Sequence, residues 1–182
     1  MTRGRFIAVV GHSGVGKDTL MRAMAEARPA LRRVRRVITR PADPDGEGHE
    51  AVSEPEFDAR LRDGGFALHW RAHGLQYGVP VGVCMDLAQG RDLLVNLSRT
   101  VLAEAQARFQ PFLVLHLTAD PGVLAARHAG RGRETDEDIA ERLGGAAQEL
   151  PEGVGPVVTL DAGAPVERLA RAALKALHAV RV

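Results

Sequence analysis

The 182-residue chain lacks several features that would mark it for particular functions. It has one cysteine, Cys84, so it can form no intramolecular disulfide and no cysteine-based zinc site. The thiol reads as an inert filler, in keeping with a reducing cytoplasm. Aromatic residues make up 4%, with a single Trp (Trp70) and a single Tyr (Tyr77), too few for the stacking platforms that single-stranded nucleic acid requires. Charge of one sign is missing as well. The 24 Lys and Arg against 23 Asp and Glu leave a net +1, so no bulk field draws the chain to nucleic acid or to a membrane surface. No apolar run approaches the ~20 residues of a membrane span, and the short run Phe6–Val10 is too brief for the core of a signal peptide. Repeats and low-complexity tracts are also absent. The expectation is a cytoplasmic protein with no nucleic-acid, membrane or protein partner evident.

The chain does have 45% hydrophobic content, enough for a real core in a length suited to one domain. Its most informative stretch is Gly11, His12, Ser13, Gly14, Val15, Gly16, Lys17, Asp18 and Thr19. The apolar run Phe6–Val10 precedes it, and Leu20, Met21, Met24 and Ala27 follow at helical spacing until Pro29. Strand, glycine-rich turn and helix are the context of a phosphate-binding loop, G-x-x-x-x-G-K-[ST]. The glycines let backbone N–H groups turn inward, the helix dipole adds positive potential, and Lys17 reaches the outer phosphates. Only the last position departs from the pattern: Asp18 stands where a Ser or Thr hydroxyl normally meets Mg²⁺. Asn96 departs in a related way, since it ends the buried-looking run Leu93–Val95 where many such enzymes place an aspartate. Taken together, the two departures predict that Asp18 supplies the metal-side carboxylate from the loop.

The rest of the chain alternates strand and helix signals. An arginine-rich strand, Arg32–Arg40, enters the turn-rich Pro41–Gly48. Ser53 with Glu56 forms a capping box for a short helix ending at Gly64 and Gly65, and Phe66–Val79 reads as two short strands around Gly74. Helix signals follow from Val81, then the strand Leu93–Val95, a helix through Val101, Leu102 and Ala105, the strand Phe112–Leu117 and a helix opening at Pro121. A helix capped at Thr135–Asp138, a strand Val157–Leu160 and a striped helix begun at Pro165 complete the series. This order predicts an α/β fold with a five-stranded parallel sheet, helices on both faces and ligands at the carboxyl ends of the strands. The chain reads as one domain over 1–182, with a small inserted lobe at about 33–80.

Three other constellations bear on function. Arg127–Arg133 carries three guanidiniums and two glycines, which reads either as a solvated corner or as a lid, at about 128–136, that clamps a transferring phosphoryl group. In the run Arg32, Arg33, Arg35, Arg36 and Arg40, the last is the candidate for an anionic substrate and the other four read as surface charges. His69 and His73 have helical metal-ligand spacing but lie in a strand-like alternation, where they would stand about 13 Å apart, too far for one metal.

These residues resemble the nucleoside monophosphate kinase fold, and guanylate kinase within it, through the phosphate loop, Ile38–Pro41 followed by Gly46 and Glu47, the pair Tyr77 and Gly78, and Arg131 with Arg142. A closer resemblance is to the ribose 1,5-bisphosphate phosphokinases of phosphonate catabolism. It rests on Gly16–Asp18, Val37–Asp43, His49–Ser53, Ala67–Trp70, Ala72–Gly74, Tyr77–Gly78, Leu94–Arg99 and Gly130–Glu134. Asp43 and His49 depart from guanylate kinase, where a second phosphate-gripping arginine and a tyrosine stand. The resemblance implies ATP and Mg²⁺ as cofactors and a small sugar phosphate as acceptor, with ribose 1,5-bisphosphate converted to 5-phospho-α-D-ribose 1-diphosphate. It also implies roles: Lys17, Arg40, Arg131 and Arg142 in catalysis, residues Gly11–Thr19 with Arg127 at ATP, and Asp18 at the metal. Arg40, Asp43, Glu47, His49, Tyr77, Asn96 and Ser98 would contact the acceptor, and the loop Asp161–Pro165 would lie beside adenine. The rival expectations are a nucleotide kinase acting on GMP and a catalytically silent protein-binding module.

Overall fold

An apolar run that does not alternate is satisfied only by burial on both faces, and Phe6–Gly11 (β1) takes the centre of a five-stranded sheet. The computed structural model describes residues 3–42, 48–131 and 149–180, with 127–131 as backbone. The order across this sheet is Arg32–Arg33 (β2), Leu93–Asn96 (β7), β1, Phe112–Thr118 (β8) and Val157–Asp161 (β9), and every pairing is parallel. The period of two sorts side chains into two cores. Phe6, Ala8, Val10, Leu93, Val95, Phe112 and Val114 pack with residues of Val83–Ala88 (α3) and Leu102–Arg108 (α4), where the Phe6 ring stacks on Phe109 at 4.5 Å. Ile7, Val9, Leu94, Leu113 and Leu115 pack on the opposite face against Lys17–Ala27 (α1) and Val166–Ala179 (α6). Leu20, Met21 and Met24 of α1 and Leu169, Ala170, Ala173 and Leu177 of α6 are the stripes that the sequence periodicity predicts.

A polar clamp ties the start of this sheet together. Arg5 donates to Asp92 from its backbone N (2.9 Å), Nε (3.2 Å) and Nη2 (2.6 Å), and reaches the carbonyls of Leu177 and Val180 at the end of α6. Burial works against charge on Asp92, but the hydrogen bonds from Arg5 outweigh it and hold the carboxyl below its ordinary value.

A second, four-stranded sheet stands beside the first in the order Glu50–Ala51 (β4), Val37–Ile38 (β3), Leu75–Pro80 (β6) and Phe66–Ala72 (β5). The hairpin of β5 and β6 turns at His73 and Gly74, both at positive φ. Ser53 caps Glu54–Arg62 (α2) by accepting from the N–H of Glu56 at 3.3 Å, while the Glu56 carboxylate accepts from Arg60 at 2.6 Å. Phe57 of α2 stacks on Phe66 at 4.5 Å over Val37 and Val52. The arginine run is thus split. β2 edges the main sheet and β3 belongs to the second, so Val34, Arg35 and Arg36 bridge the two.

The segment read as a glycine-loosened lid begins as helix. Pro121–Arg131 (α5) is continuous helix, so the Arg127–Arg131 backbone is helical, carried through Gly130 by strong helix formers at Ala125, Ala126 and Ala129. The remainder of the expected lid, the helix capped at Thr135–Asp138, and Arg142 lie outside the described residues, as do Asp43 and Glu47. His69 is an exposed residue of β5 and His73 lies in the turn beyond it, and no cluster of three potential ligands forms among the described residues.

Candidate active site

The phosphate loop runs from the carboxyl end of β1 into α1. At its entry Gly11 passes so close to β8 that a Cβ would stand 2.6 Å from the Leu117 carbonyl oxygen, leaving no room for a side chain. At its exit Gly16 takes the left-handed conformation (φ 101°) as the N-cap of α1 and brings no capping side chain, which leaves the mouth of the helix to a ligand. Val15 pins the loop from below, since it is buried in the core shared with Leu20 and Leu117. Lys17 Nζ donates to the carbonyls of Gly11 (2.7 Å) and His12 (2.9 Å), which holds the ammonium over the loop. His116 of β8 is in register with Val10 of β1, and burial, followed by the charges of Arg99 and His12, pushes its pKa below the ordinary histidine value.

Two clefts open beside this loop. One, of about 290 Å³, is lined by Gly14, Val15, Gly16, Thr19 and Leu20 on one side and by Ala162, Ala164, Val166 and Leu169 on the other. It brings the loop after β9, expected beside adenine, against the phosphate loop. The other, of about 230 Å³, is lined by Asp18, Met21, Asn96, Arg33, Val34, Arg35, Arg36 and Gly48. One wall is the start of α1 with the end of β7, and the other is the bridge between the sheets. Asp18 and Asn96, singled out because each departs from the usual pattern, therefore face the same space. Asn96 is only 6% exposed and is in register with Val9 of β1.

The arginine run needs a correction. Arg33, Arg35 and Arg36, read as surface charges, line the cleft, whereas Arg32 turns outward to pair with Asp86 at 2.6 Å. Arg35 donates to the carbonyls of Gly48 (3.1 Å) and His49 (3.2 Å). Arg36 is 7% exposed, with its guanidinium 5.8 Å from the Trp70 ring centroid and 5.3 Å from that of Tyr77. Those rings face each other across the β5–β6 hairpin, stacked at 5.3 Å and 4° from parallel. No sequence signal marks which arginine of such a run meets them, because the contact depends on the pairing of three strands.

Arg40 stands just after β3, and His49, 4% exposed, holds it from behind. Nε2 of His49 donates to the Arg40 carbonyl (3.2 Å), so Nδ1 is the acceptor for Arg40 Nη2 at 3.4 Å. His49 and Tyr77, both expected at the acceptor, thus support Arg40 and Arg36. Ser98 is likewise outside the cleft lining: its hydroxyl accepts from Thr100 N at 3.4 Å and caps the short turn Arg99–Val101.

No protein-family model matches the chain. Among solved structures, the chain is similar to the guanylate kinase of Anaplasma phagocytophilum (TM-score 0.73, 16% identity, 98% of this chain and 86% of that one). It is also similar to a gluconokinase of Sinorhizobium meliloti 1021 (TM-score 0.57, 20% identity, 98% and 94%). At such identities the likeness speaks for the fold, that of the P-loop kinases. Curated relatives are much nearer in sequence. The ribose 1,5-bisphosphate phosphokinase PhnN of Ruegeria sp. TM1040 is 51% identical over 159 residues, 87% of this chain and 84% of that protein. The protein of the same name in Brucella melitensis biotype 2 is 42% identical over 185 residues, 99% and 95%. A bifunctional ribose 1,5-bisphosphokinase-thymidine phosphorylase of Azorhizobium caulinodans is 48% identical over 157 residues, 85% of this chain and 23% of that protein. With the phosphate loop, the two clefts beside it and this extent of identity, the chain belongs to the ribose 1,5-bisphosphate phosphokinase family.

Proposed function

We propose that the protein transfers the γ-phosphoryl group of ATP to the C1 phosphate of ribose 1,5-bisphosphate, yielding 5-phospho-α-D-ribose 1-diphosphate and ADP, as a step of phosphonate catabolism. The bond between the γ-phosphorus and its bridging oxygen breaks as a C1-phosphate oxygen bonds to that phosphorus. The observation that carries this reading is the cleft between the start of α1, with the end of β7, and the bridge between the two sheets. Its volume suits a compact sugar phosphate, and its lining holds three guanidiniums and one carboxylate among the described residues. A phosphate oxygen, with a second pKa near ~6, is already ionised at neutral pH and needs no strong base to attack. The rate then rests on positioning and charge neutralisation.

In this reading Lys17 and the N–H groups of residues Gly11–Thr19 hold the β- and γ-phosphates, and the cleft between Thr19 and Ala164 receives the adenosine. Arg40, steadied by His49, and Arg131 and Arg142 neutralise the transferring group, while Arg127 serves ATP. Asp43 and Glu47 accept hydrogen bonds from the ribose hydroxyls. Asp18 and Asn96 offer hard oxygen donors, which fits Mg²⁺, an ion usually held by one or two carboxylates together with water and phosphates. When bound, Mg²⁺ offsets the charge of the β- and γ-oxygens. The chain acts as one kinase domain over 1–182, with the acceptor lobe at about 33–80 and a lid at about 128–136.

The test is ADP release from ATP with ribose 1,5-bisphosphate or GMP at equal concentration, with the product checked by phosphorus NMR. Turnover of the sugar to a diphosphate, with little or none of GMP, is the expected outcome. Robust GMP phosphorylation with no sugar diphosphate overturns the reading in favour of a guanylate kinase.

A further inference from the structure

We propose that Arg36, seated on the stacked Trp70 and Tyr77 rings, with Arg33 beside it, grips the acceptor phosphate that does not react and so selects bisphosphorylated over monophosphorylated sugars. The proposal rests on the acceptor reading above and adds a specificity determinant to it.

The placement of the cleft residues carries the argument. The reacting phosphate must approach the γ-phosphate, and therefore the wall formed by Asp18 at the start of α1. A bisphosphate brings its second anionic group to the other side of the ribose, toward the bridge between the sheets, and there stand Arg33, Arg35 and Arg36. Among the described lining residues three guanidiniums face one carboxylate, an excess of two positive charges that suits a doubly charged phosphate.

The three arginines differ in how they are held. Arg35 is exposed and donates to two carbonyls, which shapes the wall. Among the described residues nothing accepts from the buried Nε of Arg33, a costly state for a donor that an anionic ligand or a water in the cleft would relieve. Arg36 is 7% exposed and still lines the cleft. Burying a guanidinium is expensive, and here it lies over the only tryptophan and the only tyrosine in the chain. Contact with both rings restricts where the guanidinium can move, so part of the ordering cost of gripping a phosphate with its forked donors is met before the ligand arrives.

The experiment compares wild type, Arg36→Gln and Arg36→Lys with ribose 1,5-bisphosphate and with ribose 1-phosphate, which keeps the reacting group and lacks the other. Ribose 5-phosphate serves as competitor. For Arg36→Gln, kcat/KM for the bisphosphate should fall about 10- to 100-fold, mainly through KM, while that for ribose 1-phosphate stays within about two-fold. Inhibition by ribose 5-phosphate should weaken in parallel. Arg36→Lys should recover only part, because a point charge does not reproduce the fork. The ratio between acceptors is unaffected by any loss of folded enzyme. Equal losses on both acceptors, or an unchanged ratio, overturn the proposal. If wild type makes no diphosphate from ribose 1,5-bisphosphate, the functional reading fails separately. Calorimetric binding of ribose 5-phosphate then decides on Arg36: binding lost in Arg36→Gln supports the site, and binding absent from wild type or equal in both refutes it.

Discussion

Moving one negative charge across the cleft tests whether Asp18 supplies the carboxylate that the end of β7 lacks. Asp18→Thr restores the usual loop residue and removes the only carboxylate from the described lining, beside three arginines. The loss of a metal-supporting group of this kind should raise the Mg²⁺ concentration for half-maximal rate about 10- to 100-fold. Asn96→Asp alone puts a second carboxylate at a position only 6% exposed and facing the same space as Asp18. A like charge sharing the cleft disfavours ionisation and shifts a carboxyl pKa upward. Each unit is worth about 1.4 kcal/mol, so the single variant should lose stability and activity together. In the double variant Asp18→Thr with Asn96→Asp the total charge is restored and the repulsion is gone. A coupling of about 1–3 kcal/mol is expected, which is a recovery of roughly 5- to 150-fold over Asp18→Thr alone. The assay is the initial rate of ADP release across a Mg²⁺ titration at saturating ATP, with thermal midpoints for all four proteins. If the double variant is no better than Asp18→Thr, or if Asp18→Thr titrates like wild type, the carboxylate has not been relocated.

Lys17→Ala should keep its secondary structure by circular dichroism, because Nζ donates to the Gly11 and His12 carbonyls of the phosphate loop rather than packing in the apolar core, and should lose phosphotransfer by at least about 10²-fold; near-normal turnover would remove the central assignment. His116 has a folded pKa below its ordinary 6.5, so the unfolded chain takes up the proton first. Its contribution to stability is complete above about pH 6.5 and declines as pH falls toward the lower folded value. His116→Gln should therefore flatten the dependence of the denaturation midpoint on pH below about 6.5, and an unchanged slope would show that the imidazole is not held neutral.

What the sequence determined by itself is whatever neighbours along the chain decide. Glycines, Lys17 and the flanking apolar run make a phosphate loop through backbone geometry within nine residues, and the loop lies where that run ends. The period of two in β1 and the 3.6-residue stripe in α6 name their own buried faces, so the central strand and the last helix are legible without the fold. Ser53 likewise caps the helix that begins at the next residue by accepting from an N–H three residues on. Only the tertiary structure decided which arginines serve the cleft. Arg36 is surface-like in composition and becomes buried because the chain crosses from one sheet to the other at Val34–Arg36, while the β5–β6 register sets Trp70 and Tyr77 face to face beneath it. The same holds for Asp18 and Asn96, which are far apart in the chain and share a cleft because β7 lies beside β1. It holds also for His49, whose support of Arg40 follows from the pairing of β3 with β4. Local patterns are set by interactions a few residues long, whereas the charge and shape of a cleft arise from strand pairings between distant segments, and no pattern along the chain specifies those for a single side chain.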